Sequence, residues 1–294
     1  MKFSFIGGDL RIVSLAASLC REGHETACFA LEEVCPFECM SSFLTLEGAL
    51  EGADCVVLPL PALDAQGNIN APLSERVLDP ADVVRALPKS AVICAGRPND
   101  YLLQLVGDAG LELTDYYARE ELVVMNALIT AEGAISIILQ HSTLAIWESN
   151  VLIIGYGRIG KMLSSRLRSL GANVSVSARK PGDMAYIRAA GCTPLDTRTL
   201  GGELKRFDTV INTVPAPVLD AARLSRIDKK ALVLDLASRP GGVDFEAANR
   251  LELKTIWALG LPAETAPDTA GRIIKETLLN IIREKRGWNK IEQT

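Results

Sequence analysis

Residues 151–161 read Val151-Leu152-Ile153-Ile154-Gly155-Tyr156-Gly157-Arg158-Ile159-Gly160-Lys161, and this stretch decides the fold. Four apolar residues suit a strand buried on both faces of a parallel sheet. A glycine-spaced turn follows, and a helical run extends from Lys161 to Leu170 before Gly171 stops it. Each glycine has its own physical task. The first permits a tight strand-to-helix turn. The second lets bare backbone approach an anion, and the third lets helix and strand pack closely. The helix N-terminus faces that anion, so the turn reads as a pyrophosphate cradle. The spacing alone is a weak signal. The order strand, turn, helix, Gly171, second strand makes it a strong one.

A weak internal repeat extends this reading to the whole chain. Residues 3–30, FSFIGGDLRIVSLAASLCREGHETACFA, parallel residues 151–178, VLIIGYGRIGKMLSSRLRSLGANVSVSA. Downstream, Ala53-Asp54-Cys55-Val56-Val57-Leu58-Pro59 resembles Phe207-Asp208-Thr209-Val210-Ile211-Asn212-Thr213, and Ser90 to Ala95 resembles Lys230 to Asp235. The repeat predicts an α/β chain of two Rossmann-like doubly wound parallel-sheet domains joined by long helices. The expected division is an N-terminal domain over 1–125, a connecting helix within 126–148 and a second domain over 149–264. The helix within 265–294, with Ile273, Ile274, Leu278, Ile281 and Ile282 at helical spacing, is expected to complete the first domain. Thr130 reads as the N-cap of a helix over about 131–147.

The two glycine turns differ where it matters. Aligned on Gly7, the first half has Asp9 where the second has Gly157, and Ile12 where the second has Gly160. A carboxylate and a bulky side chain replace the glycines that face phosphate and helix. The first half is therefore read as the substrate or partner domain, and the second as the dinucleotide domain. At the end of the second strand an acid would bind the ribose 2′-hydroxyl of NAD. Ala178 stands there instead, followed by Arg179 and Lys180, which suits the 2′-phosphate of NADP; NADP(H) is expected over NAD(H). Cofactor contacts are expected from Gly155, Tyr156, Gly157, Arg158, Ile159, Gly160, Ala178, Arg179 and Lys180. Thr213, Val214 and Pro215 after the fourth strand and Ala237 after the fifth join them. Ser238 and Arg239 lie in the same fifth-strand loop, where a planar guanidinium can hold a carboxylate with two parallel bonds.

Composition excludes several classes. The chain has 294 residues, 48% hydrophobic and 23% charged, with a net charge of −5 and no basic tract, which argues against a nucleic-acid surface. No export signal is evident at the N-terminus. The apolar window from Leu122 to Leu139 reaches the length of a membrane span, but Asn126, Thr130, Glu132, Gly133 and Ser136 favour a buried helix. Seven cysteines without a CxxC pair fit a reducing, cytoplasmic compartment. Two histidines, His24 and His141, cannot supply a zinc motif, and Cys35 with Cys39 make a poor metal site, so no metal is expected. His24 reads as a surface-loop residue. Glu132 and His141 are the polar oddities of the connecting helix and the candidate acid–base pair. Glu132 falls in the expected first turn, where a capping role competes with a site role. The nine-residue spacing sets the two about half a circumference apart.

Together these motifs resemble the dipicolinate synthase A-subunit family over nearly the whole chain. The resemblance rests on Ile6-Gly7-Gly8-Asp9-Leu10-Arg11, Thr130-Ala131-Glu132-Gly133 with Gln140-His141, the turn from Gly155 to Gly160, and Gly171-Ala172-Asn173-Val174 leading to Ala178-Arg179. Most specific is Leu234-Asp235-Leu236-Ala237-Ser238-Arg239-Pro240-Gly241-Gly242-Val243-Asp244-Phe245, joined by Gly260-Leu261-Pro262 and Ala266 to Gly271. Tyr156 departs from the small or apolar residue expected at its position; its side chain should point away from the pyrophosphate. The resemblance implies NADP-dependent oxidation of a dihydrodipicolinate, a small ring with two carboxylates, to dipicolinate in the mother cell of a sporulating bacterium. It also implies a flavoprotein-like partner, the B subunit, together with a homo-oligomeric state and an architecture shared with 2-hydroxyacid dehydrogenases. Two alternatives stay open: a non-catalytic dinucleotide-binding or redox-sensing subunit, and a 2-hydroxyacid dehydrogenase-like enzyme. The latter is disfavoured because the second half has no histidine after His141.

Overall fold

The computed structural model describes residues 1–33 and 40–286. Cys35 and Cys39 lie outside the described residues. Two compact units emerge, Met1–Met125 with the segment from Ala266 onward, and Asn126–Thr265.

The first unit contains β1 (Lys2–Ile6), α1 (Leu10–Arg21), β2 (Glu25–Phe29), β3 (Ser41–Ser42), α2 (Leu46–Leu50), β4 (Cys55–Val57), α3 (Pro80–Ala86), β5 (Val92–Ala95), α4 (Asp100–Asp108) and β6 (Leu113–Asp115). Its six strands are all parallel in the order β3-β2-β1-β4-β5-β6. Caps set the helix starts: Asp9 accepts from the Arg11 N–H, Asp79 from Ala81 with Pro80 in the first turn, and Asn99 from Leu102.

α5 (Glu120–His141) runs from the first unit into the second. It starts ten residues or so earlier than the sequence suggests. Thr130 is not its cap but lies inside it, and its hydroxyl donates to the Asn126 carbonyl at 2.8 Å, which removes the cost of burying a polar group there. Glu132 consequently sits well past the first turn, whose acids are Glu120 and Glu121. By length and composition α5 could cross a membrane, with 44% of its most apolar window buried in the protein.

The second unit continues with β7 (Asn150–Ile154), α6 (Arg158–Ser169), β8 (Asn173–Ala178), α7 (Pro181–Ala189), β9 (Thr193–Asp196), β10 (Thr209–Asn212), α8 (Ala221–Leu224), β11 (Leu232–Asp235), α9 (Phe245–Arg250), β12 (Lys254–Trp257) and α10 (Leu261–Thr265). Its parallel order is β12-β11-β10-β7-β8-β9, which repeats the first sheet strand for strand and puts the topological switch between β7 and β10. Val151, Leu152, Ile153 and Ile154 are all fully buried, as the unbroken apolar run requires. In both units an aspartate fastens the first strand: Asp54 accepts from the Lys2 N–H at 2.9 Å and Asp208 from the Asn150 N–H at 2.7 Å.

α11 (Pro267–Arg286) returns to the first unit and packs on α1. Ile273, Ile274, Leu278, Ile281 and Ile282 are buried there, each worth roughly 1.5–3 kcal/mol. A Cβ at Gly271 would come within 2.6 Å of the Arg11 carbonyl, so the two helices touch backbone to backbone. Lys275, also buried, donates to Ser18 Oγ at 2.9 Å and to Glu22 Oε1. His24 is half-buried with its ring edge-on to Phe3 at 5.3 Å, and burial holds its pKa below the ordinary value.

Candidate dinucleotide site

The three glycines after β7 separate into two that the fold demands and one that it does not. Gly155 has φ of 100°, and a Cβ there would meet Thr213 Oγ1 at 2.5 Å and Val214 Cγ2 at 2.8 Å. A Cβ on Gly160 would lie 2.2 Å from the Gly155 carbonyl oxygen. Gly157 has neither constraint. It is the N-cap of α6 with φ of −79°, makes no side-chain capping bond, and has nothing within 4 Å of where its Cβ would be. Gly157 thus leaves open space in front of the first-turn N–H groups of α6, which have no intrahelical acceptors. That is the geometry a diphosphate requires.

The first unit fills the corresponding space with its own chain. Asp9 caps α1 there, and its carboxylate meets the Arg11 guanidinium at 2.7 Å. Arg11 also donates to the Leu60 carbonyl. The Gly8 N–H is taken by the Asn70 carbonyl at 2.9 Å, and Ile12 packs so closely that a Cβ on Gly8 would lie 2.5 Å from its Cγ1. A ligand diphosphate has neither room nor free charge to meet here.

Around the second turn, the remaining candidates of this half lie at the carboxyl ends of the strands. Thr213 Oγ1 donates to the Ile154 carbonyl at 2.9 Å, tying the loop after β10 to the end of β7 across the switch point. Val214 is half-buried beside Gly155, and Pro215 is exposed. Tyr156 packs against the second unit's core, with the Lys161 ammonium 5.5 Å over its ring and burial raising its pKa. Arg158 is exposed, and Ile159 is half-buried on the same core. Ala178 is buried at the end of β8, whereas Arg179 and Lys180 are exposed and, among the described residues, neither forms an ion pair.

The loop after β11 is braced from below. Asp235 and Asn212, both fully buried, face each other at the ends of neighbouring strands, with Asn212 Nδ2 2.8 Å from Asp235 Oδ1. Asp235 also accepts from the Ala237 N–H at 3.0 Å and the Gly242 N–H at 2.8 Å, and Asn212 Nδ2 donates to the Val214 carbonyl at 2.9 Å. One buried pair thereby positions both loops. Sequence reasoning missed this brace, although two polar residues closing apolar strands, where the first half has Leu58 and Ala95, were the available signal. Above it, Trp257 Nε1 donates to the Ala237 carbonyl at 3.0 Å, and the Arg239 guanidinium lies 5.7 Å over the Trp257 ring. Ser238 is half-buried, and Arg239 is exposed.

The acid–base candidates are placed differently. Glu132 is exposed and forms a 3.6 Å ion pair with Arg166, which lies beyond the second turn of α6 from Gly157. His141, the exposed last residue of α5, accepts through its carbonyl from Lys254 Nζ, and Lys254 opens β12. It therefore lies by the amino-terminal edge of the second sheet. Within that unit His141 is not brought to the glycine turn. No group of three His, Cys, Asp or Glu side chains among the described residues is placed to hold a metal.

The sheet order and the bare turn at its switch point define a Rossmann protein of dehydrogenase-like architecture. A family model for the N-terminal domain of the dipicolinate synthase A subunit matches residues 2–117. The dipicolinate synthase A subunit of Bacillus subtilis (strain 168) is 32% identical over 286 residues, 97% of this chain and 96% of that protein. The crystal structure of the dipicolinate synthase A subunit from Bacillus halodurans matches with a TM-score of 0.88 and 29% identity over 96% of this chain and 97% of that one. At the level of fold alone, the NAD-complexed D-isomer specific 2-hydroxyacid dehydrogenase of Lactobacillus delbrueckii ssp. bulgaricus matches with a TM-score of 0.55 and 15% identity, covering 98% of each chain. The chain belongs to the dipicolinate synthase A-subunit family.

Proposed function

We propose that this chain is an NADP-dependent oxidoreductase that converts a dihydrodipicolinate to dipicolinate, pyridine-2,6-dicarboxylate, in the cytoplasm of a sporulating cell. The observation that carries the reading is Gly157, a glycine the fold does not need, at the mouth of an uncapped helix. The dihydro ring loses a hydride and a proton, and aromatisation favours both losses. A bound oxidised nicotinamide supplies the hydride acceptor. The chain supplies orientation. The turn from Gly155 to Gly160 holds the diphosphate, with Tyr156, Arg158 and Ile159 shaping its walls. Ala178, Arg179 and Lys180 receive the adenosine ribose and its 2′-phosphate. Thr213, Val214, Pro215 and Ala237 lie along the nicotinamide ribose, and Ser238 with Arg239 binds a substrate carboxylate. Glu132 is retained as candidate proton acceptor; His141, by the amino-terminal edge of the sheet, is not. The family resemblance supports a flavoprotein-like partner, the B subunit, together with a homo-oligomeric state.

Calorimetric titration of the purified protein with NADPH and NADH tests the cofactor. NADPH is expected to bind more tightly, and Arg179→Ala with Lys180→Ala is expected to weaken NADPH by about tenfold or more while leaving NADH unchanged, the cost of lost charge-assisted bonds. Equal affinity for both, unaltered by the double substitution, would refute the NADP assignment. A non-catalytic binding subunit is the second reading. It is favoured by the exposed, ion-paired state of Glu132 and the remote position of His141. Absorbance of NADPH formed from the dihydro substrate, with and without the B subunit, separates the two.

A further inference from the structure

Three neighbouring strands of the second unit end on one row of residues: Asn212 on β10, Asp235 on β11 and Trp257 on β12, each in register with the next. The first two form the buried brace. Trp257 continues the row with a half-buried ring on the edge strand, and the loop after β11 is laid against it. Phe245, the first residue of α9, stacks on that ring with centroids 5.3 Å apart and planes at 20°. Gly241, with φ of 82°, passes so close that a Cβ there would lie 3.1 Å from Trp257 Cζ2 and 3.0 Å from Asp235 Oδ2. Trp257 Nε1 donates to the Ala237 carbonyl. The chain on both sides of Arg239 is thus fixed to one indole, and the Arg239 guanidinium lies 5.7 Å over it.

The kind of contact matters. An aromatic ring attracts a guanidinium through its quadrupole and consumes none of its N–H donors. A carboxylate partner would hold Arg239 as firmly, but it would occupy the fork that a ligand carboxylate needs. Among the described residues Arg239 forms no hydrogen bond or ion pair, so the ring restrains it and leaves its donors open. A side chain restrained beforehand loses less freedom when it binds. We infer that Trp257 is a positioning residue for the substrate, acting through Arg239. The inference rests on the function proposed above, in which Ser238 and Arg239 bind a carboxylate of the ring.

Calorimetric titration of the intact protein with dipicolinate at saturating NADPH tests this. Trp257→Leu should weaken dipicolinate about fivefold, the scale of one partly exposed cation–π contact. Trp257→Phe keeps a ring and should recover most of that loss. Arg239→Ala should weaken dipicolinate by about tenfold or more. Trp257→Leu added to Arg239→Ala should cost nothing further, because no guanidinium is left to position, whereas a merely structural role would cost the same in both backgrounds. Should Trp257→Leu fail to fold, the emission of Trp257 alone, in protein carrying Trp147→Phe and Trp288→Phe, reads the same contact. Dipicolinate should change that emission saturably, and Arg239→Ala should shift the change to higher dipicolinate concentration; no change, or an unshifted one, overturns the inference. Wild-type affinity in Trp257→Leu or Arg239→Ala, or equal losses from Trp257→Leu with and without Arg239, also overturns it while leaving the function standing. Absence of dipicolinate binding by the wild-type protein overturns both.

Discussion

The two halves of this chain share one sheet order and even the same aspartate clamp on the first strand, yet their first turns have opposite contents. In one, Asp9, Arg11, Ile12 and the Asn70 carbonyl occupy the space over the helix N-terminus. In the other, Gly157 leaves it open. Identical topology therefore does not fix what a Rossmann turn binds; three side chains do. The first half uses its helix dipole and N–H groups for internal cohesion, whereas the second leaves the space in front of them open.

Substitutions that exchange these contents should break or sharpen the contrast. The largest effect is expected for Gly160→Ala, because its Cβ would lie 2.2 Å from the Gly155 oxygen. Chemical denaturation should show a loss of about 3 kcal/mol or more, the scale of severe overpacking; near-wild-type stability would mean the turn relaxes freely. Asp235→Ala comes next, since it leaves Asn212 and the N–H groups of Ala237 and Gly242 without their buried acceptor. A loss of about 2–4 kcal/mol is expected from the same measurement. The equivalent positions in the first half are Leu58 and Ala95, two apolar residues, so no buried polar side-chain pair has to be satisfied there.

Gly157→Asp transplants the Asp9 arrangement into the second half. Among the described residues nothing lies within 4 Å of where its Cβ would be, and a carboxylate N-cap should leave stability unchanged or raise it by about 1 kcal/mol. NADPH affinity, by contrast, should fall about a hundredfold, since a carboxylate then sits where a phosphate must go. A variant that folds and binds as well as wild type would show that the open space serves no ligand.

The smallest effect concerns acid stability. The Lys2 N–H bond, with Arg286 assisting, holds the Asp54 carboxyl below its usual range. A depressed folded pKa contributes stability above the unfolded value, near pH 4, and that contribution is lost as pH falls through the folded value. Thermal melts of Asp54→Asn should therefore decline less steeply than wild type below about pH 4; parallel profiles would contradict it.

The strands and glycine turns were legible because buried parallel strands and tight turns constrain composition directly. Both sheets follow from the repeat that pairs Phe3 with Val151. α5 was read too short because Thr130 satisfies its hydroxyl within the helix, so a residue that looks like a boundary is none. The Asn212–Asp235 brace needs knowledge of which strands are neighbours, which local spacing does not carry. Glu132 and His141 stood out only as polar residues in an apolar run, and polarity alone does not say which end of a sheet a helix reaches.

α11 belongs to the unit that begins at Met1, although the whole second unit is translated between them. During synthesis the emerging first sheet must wait for Gly271 and the isoleucines after it, with the α1 surface that they cover still wet. The second unit, continuous in sequence, has no such delay. The half translated later is thus free to mature earlier, and the α1 surface is closed only by a helix made after the second unit.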